Sequence, residues 1–270
     1  GGGSGKRRTR FQSFDALREK VTTDREGFWR EVLGLHATLR EWYDDRELYH
    51  KVGYLVAEGS DLAALLAAAK AQTRSGFRGS LDARIRARLS LTRAQVEDLR
   101  YDVGYERCAR LLRLMNVETV RRLRHSTERY PFRAHKGSAW SLEHIHAQHA
   151  EGMTKKAQWQ AWLTSHRAAL AGLPGDLTRD ALIGDIDAAY DGVDGETFAA
   201  LARRVVERFT PPGEADDAHA ITNLALLSSD VNSALGNSAF EVKRRRILAL
   251  DRAGEYIPIC TRRVFLKYFT

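Results

Sequence analysis

Glu143 and His144 stand side by side near the end of a short segment, Trp140-Ser141-Leu142-Glu143-His144-Ile145-His146. A second segment, Thr222-Asn223-Leu224-Ala225-Leu226-Leu227-Ser228-Ser229-Asp230-Val231-Asn232, carries two asparagines. Together these side chains suit metal-assisted hydrolysis. A carboxylate and an amide oxygen ligate a hard divalent cation such as Mg2+ or Mn2+. A neutral imidazole takes a proton from water, and a polar side chain can brace the loop that carries it. Glu143 and Asn232 are the metal-ligand candidates, His144 is the general-base candidate, and Asn223 is the brace. His146 shares strand parity with His144, which makes it either a further metal ligand or a phosphate contact. Lys243 and Arg246 lie on one turn of a basic helix; they either grip phosphate or form part of a solvated face. Asn237, after Gly236, competes with Asn232 as ligand, or marks a helix break. His149, His166 and His219 receive no role.

These roles constrain the elements that carry them. Adjacent residues of a regular strand point to opposite faces, so the strand bearing Glu143 and His144 must end or bend there. Ser229 or Asp230 is a good N-cap, which places Asn232 in the first turn of a helix that follows the second strand. The strand-compatible stretches are 139–145 and 221–227. Between them, residues 154–209 return to helical spacing through Trp159, Trp162, Leu163, Leu201, Val205 and Phe209, and Pro211-Pro212-Gly213 with an acidic loop ends that stretch.

Ahead of residue 130 the chain reads as helical, with Phe28, Trp29, Val32, Leu33 and Leu39, then Leu62, Leu65, Leu66 and Ala69, then Cys108, Leu111, Leu112 and Met115 at helical spacing. The expected architecture is mainly α. A helical domain over 11–130 precedes a domain over 131–270 that holds the two strands, the inserted helices and a last helix after Pro258. Residues 1–10 combine a Gly-Gly-Gly-Ser-Gly linker composition with a short basic entry.

The chain has 270 residues and a formal charge of +8 from 43 Lys+Arg against 35 Asp+Glu. Most of the cations are arginine, which suits bidentate phosphate contacts, although a solvated arginine-rich surface gives the same count. Cys108 and Cys260 form no CxxC pair, so no structural zinc site is expected, and a reduced, cytoplasmic protein is the simplest inference. Cys108 falls on an apolar face. No apolar run has the length of a membrane span, and no secretory signal is visible.

The pairing of Glu-His with a downstream Asn-Leu-x-Leu-Leu and a final ligand-capable residue resembles the HNH (ββα-metal) nuclease pattern, with Asn232 where the usual motif has His. Arg129-Tyr130-Pro131-Phe132, Ser141 through Gln148, Thr222 through Asn237, Phe240-Glu241-Val242-Lys243-Arg244 and Tyr256-Ile257-Pro258-Ile259-Cys260-Thr261 resemble the C-terminal nuclease region of the GmrSD/SspE-type restriction and phage-defence family. Leu39 through Tyr43, Tyr49 through Leu55 and Leu111 through Asn116 resemble that family's helical segment. The resemblance implies a metal-dependent DNA endonuclease, nicking by default, with DNA as partner. It also implies a nucleotide-hydrolysing sensor domain upstream, whose DGQQR-like motif is absent here, and a role in defence that includes phosphorothioate-linked systems. Homo-oligomerisation is open. Ala147 departs from the family's proline. The competing expectation is a non-catalytic DNA-binding or partner-docking module built on a degenerate HNH-like scaffold.

Overall fold

Short polar side chains start most helices of the first half. Asp24, Asp45, Asp61 and Thr73 each accept a hydrogen bond from a backbone N–H in the first turn of α2 (Arg25–Asp44), α3 (Arg46–Ala57), α4 (Leu62–Lys70) and α5 (Arg74–Leu89), satisfying donors that a helix start leaves orphaned. α1 (Gln12–Thr23) precedes them. The computed structural model describes residues 11–137, 139–146, 153–209, 219–235 and 238–266. The linker and basic entry at 1–10, Ala147, His149, the Pro211-Pro212-Gly213 stop with its acidic loop, and Gly236-Asn237 lie outside the described residues.

The chain is mainly α, as expected. α6 (Arg93–Glu97) and α7 (Tyr101–Arg122) complete the first helical group. Trp42, Leu48, Val52, Leu55, Leu65, Phe77 and Leu81 form its core, with Trp42 stacked on Phe77 at 5.3 Å between centroids. The early apolar run behaves differently: Trp29 is 52% exposed and Leu33 65%, because none of the described elements covers that side of α2.

After α8 (Phe132–Gly137), β1 (Trp140–His144) pairs antiparallel with β2 (Leu224–Ser228), setting Glu143 opposite Ala225 and His144 opposite Leu224. α12 (Ser229–Leu235) follows β2 without a loop. The intervening sequence folds as α9 (Lys156–Ala171), α10 (Leu177–Ala189) and α11 (Gly195–Phe209) around their own core of Trp162, Leu163, Leu170, Ile186, Phe198 and Val205. α13 (Phe240–Arg252) and α14 (Ile259–Leu266) close the described chain.

The small sheet is covered on both faces, and this explains the continuous apolar run of β2. Leu142, Leu224 and Leu226 pack against Leu99, Cys108, Ala109 and Leu112 on the α7 side. Ala225 and Leu227, with Ile145, pack against Ile247, Ile257 and Phe265 on the other. Cys108 is thus a core residue, whereas Met115 of the same run is 46% exposed. One core therefore runs from α7 into the sheet across residue 130, and Asn116 Oδ1 accepts the backbone N–H of Cys260 at 2.8 Å. No helix among the described residues is long and apolar enough to cross a membrane.

His166 ties the α9–α11 group to the rest. Its Nδ1 lies 2.8 Å from the Trp162 carbonyl, and its Nε2 accepts the Ala239 N–H at 2.9 Å. Burial pushes its pKa down to about 4, so the folded state holds it neutral while the unfolded chain protonates it near 6.5. The unfolded state then binds more protons between those values, and stability from this group is lost as pH falls through that window. We expect a loss of about 1–2 kcal/mol on going from pH 7 to pH 5. Urea midpoints at the two pH values should include it, and His166→Gln should reduce the difference by about that amount, the buried His144 and His135 contributing in the same direction.

Candidate active site

β1 ends at His144, and the backbone there is clamped by Asn223. The Asn223 side chain accepts the His146 N–H at 2.9 Å and donates to the His146 carbonyl at 3.2 Å, while its own carbonyl accepts the Ile145 N–H at 2.8 Å. Asn223 can do this because it sits in the 3-10 turn Ile221–Asn223 that leads into β2. The bracing role expected for Asn223 matches this geometry.

Strand alternation sorts the other candidates. Ser141 and Glu143 face the side of α12 and α13, and Leu142 and His144 face α7. Asn232, in the first turn of α12, donates through Nδ2 to Ser141 Oγ at 2.8 Å and to the Leu142 carbonyl at 3.2 Å. These two bonds orient the amide and leave Oδ1 without a donor among the described residues. Glu143 is buried, and Lys243 of α13 meets its Oε1 at 2.5 Å and donates to the His144 carbonyl at 2.6 Å. The structure therefore brings Glu143, Asn232 and Lys243 to one side of β1.

His144 lies on the other side. Its ring packs at 4.7 Å from Tyr101 and 5.4 Å from His219, centroid to centroid. Nε2 is buried and has no hydrogen-bond partner among the described residues. Burial first, then the nearby Lys243 and His219, push its pKa down to about 4, so the imidazole is neutral at pH 7, the form a general base requires. Burial also drives Glu143 up and Lys243 down, with each charge partly restoring the other.

His146 does not follow His144. It lies beyond the end of β1, where strand parity no longer applies, and its ring stacks on Phe240 at 5.1 Å. Lys243 and Arg246 do not share a solvent face: Lys243 is 1% exposed and Arg246 is exposed. Lys243 turns inward to pair with the buried Glu143 carboxylate.

Two residues here escaped the sequence. His219 and Tyr101 are brought to His144 by backbone pairing of 219–221 with 99–101, in which the Tyr101 N–H donates to the His219 carbonyl at 2.8 Å and the Ile221 N–H to the Leu99 carbonyl at 2.9 Å. That pairing is long-range, and neither residue sits in a motif. His219 could have been noted only as the histidine nearest the start of the second strand segment.

No family model, curated protein or solved structure matches the chain.

By donor type the residues fit a hard cation. Glu143 and the oriented, donor-free Oδ1 of Asn232 belong to one side of β1, and both are oxygen ligands. Lys243 supplies the positive charge beside Glu143, so a cation there would have to share or displace that ammonium. Among the described residues no group of three or more His, Cys, Asp or Glu is poised around one point, so backbone oxygens and water would complete the shell.

Two substitutions probe this arrangement. Asn223→Ala removes two side-chain bonds to the His146 backbone and should cost about 1–2 kcal/mol in chemical denaturation. Lys243→Met strands a buried carboxylate and should cost about 3–5 kcal/mol at pH 8. In Lys243→Met the folded-state pKa of Glu143 stays above its unfolded value, so its contribution is favourable at low pH and is lost as pH rises through the folded pKa. The deficit relative to wild type should shrink at pH 5.

Proposed function

We propose that the chain is a metal-dependent DNA endonuclease that nicks duplex DNA. The observation that carries this reading is His144: a neutral imidazole with an unpartnered Nε2, at the end of a strand whose other side presents Glu143 and the oriented oxygen of Asn232. The order strand, strand, helix, with Asn223 clamping the loop beyond His144, supports it. The resemblance to the GmrSD/SspE-type nuclease region supplies the setting, an effector in bacterial restriction and phage defence governed by a nucleotide-hydrolysing sensor.

This mechanism requires the Tyr101–His219 side of β1 to open when DNA binds, so that one phosphate spans the strand end. His144 Nε2 then takes a proton from a water molecule whose oxygen forms the new bond to phosphorus as the bond to the leaving oxygen breaks. Glu143 and Asn232 would hold the divalent cation, which supplies Lewis-acid stabilisation of the phosphoryl oxygens when bound. Asn223 fixes the backbone just after the base, and Tyr101 and His219 wall off the imidazole so that it stays neutral. Arg246, exposed on α13, is the remaining candidate for a phosphate contact. One such site cuts one strand, so nicked circles precede linear product.

A second reading has its own observation. The Glu143–Lys243 pair already satisfies the carboxylate, as a non-catalytic scaffold would. Relaxation of supercoiled plasmid with Mg2+ or Mn2+ separates the two. The endonuclease should yield metal-dependent nicked circles, and His144→Ala should lower the rate by about 10²–10⁴-fold. Unchanged nicking by His144→Ala, or metal-independent DNA binding without product, would sink the catalytic reading.

A further inference from the structure

A cavity of about 740 Å³ opens among α3, α5, α7 and α8, in the helical group and apart from the sheet site. Its size falls within the range of small-molecule sites and far exceeds what a bare inorganic anion fills. Arg88, Arg110, Arg113 and Lys136 line it. Glu58 and Glu106 are the carboxylates in its wall, and Glu58 is shared: its Oε1 receives Arg113 Nε at 2.7 Å, while its Oε2 lies 3.4 Å from Arg110 Nε. The Arg110 contact meets the distance of an ion pair but not the geometry of a hydrogen bond, and Arg110 Nε counts among the buried polar atoms without a hydrogen-bond partner. It is the weaker of the two contacts. Positive charge thus exceeds negative charge in the wall, and Lys136 has no ion-pair partner among the described residues.

The wall also has an aromatic side. Phe132 and Tyr49 lie 5.5 Å apart, centroid to centroid, and both line the cavity. Gly53 gives the ring of Phe132 its place: a Cβ there would come within 2.2 Å of the ring, so α3 carries no side chain at that point. Guanidinium forks beside a half-buried ring that lines the cavity combine the two recognition elements a nucleotide needs, charge for phosphate and a flat apolar surface for the base.

We propose that this cavity binds a free nucleoside phosphate, with Arg88, Arg110 and Lys136 on the phosphate and Phe132 against the base. The site is wired to the sheet through α8. Trp140, the first residue of β1, donates its Nε1 hydrogen to the His135 carbonyl at 2.6 Å and stacks on the His135 ring at 5.4 Å, and His135 is itself part of the cavity wall. Occupancy therefore bears on the segment that carries β1. The assignment does not depend on the nuclease reading, because its test needs no turnover.

The experiment is isothermal titration calorimetry of the full chain with AMP, adenosine, pyrophosphate and a 5′-phosphorylated oligonucleotide. AMP should bind, adenosine and pyrophosphate should each bind more weakly, and Lys136→Glu and Arg88→Glu should each weaken AMP at least about tenfold. Lys136→Glu leaves Glu58 untouched, and Arg88→Glu removes a donor to the Glu58 backbone carbonyl while its carboxylate stays paired with Arg113. The proposal is overturned by absence of AMP binding at millimolar concentration, by wild-type affinity in both variants, or by adenosine or pyrophosphate binding as tightly as AMP. An oligonucleotide that binds where AMP does not overturns the free-nucleotide assignment and makes the cavity a DNA-end site.

Discussion

The ammonium of Lys243 holds the centre of this molecule together. It lies almost wholly out of water and satisfies both the Glu143 carboxylate and the carbonyl of His144, so that a helix late in the chain is pinned to the last two residues of β1. Removing water from two opposite charges is costly, and such a pair persists only where its hydrogen bonds are complete. Around it, every nearby choice is consistent: Asn232 reaches back to Ser141 and Leu142, Thr261 Oγ1 donates to the Leu226 carbonyl, and Asn223 fixes the backbone just beyond. The polar contacts run along the strand edges while the leucines fill the two faces.

This network places unlike chemistry on the two sides of one short strand. The carboxylate side is polar and charged, and the imidazole side is aromatic and dry. A neutral histidine and an ionised carboxylate are best served by different surroundings, and adjacency in a strand provides them from neighbouring positions. The burial that depresses the basicity of His144 is the same burial that makes Lys243 indispensable to Glu143.

Much of this was legible in the sequence, and the remainder failed for identifiable physical reasons. The helical periods around Trp42, Leu65, Cys108 and Trp162, the two strand segments and the helix opened after Ser228 follow from local spacing and capping, which act over a few residues. Asn223 as a brace could be anticipated from the motif that pairs it with the His144 segment, although its bonds to the His146 backbone are long-range. Lys243 could not: its spacing with Arg246 suggests either a phosphate grip or a solvated face, and only the packing of α13 against β1 reveals that it faces inward. His146 was assigned by strand parity, which has no meaning once the strand has stopped at His144. Tyr101 and His219 depend on a backbone pairing between distant segments. Trp29 and Leu33 have core-like spacing but no covering element among the described residues.

The three helices between β1 and β2 have a bearing on how the chain finds its shape. Pairing two strands across a long excursion carries a loop-closure penalty and slows folding. Here the excursion contains a unit with its own apolar centre, and a compact unit shortens the effective loop that pairing of the two strands must close. Destabilising that unit would therefore lengthen the loop that strand pairing must close, even though none of its side chains belongs to the site.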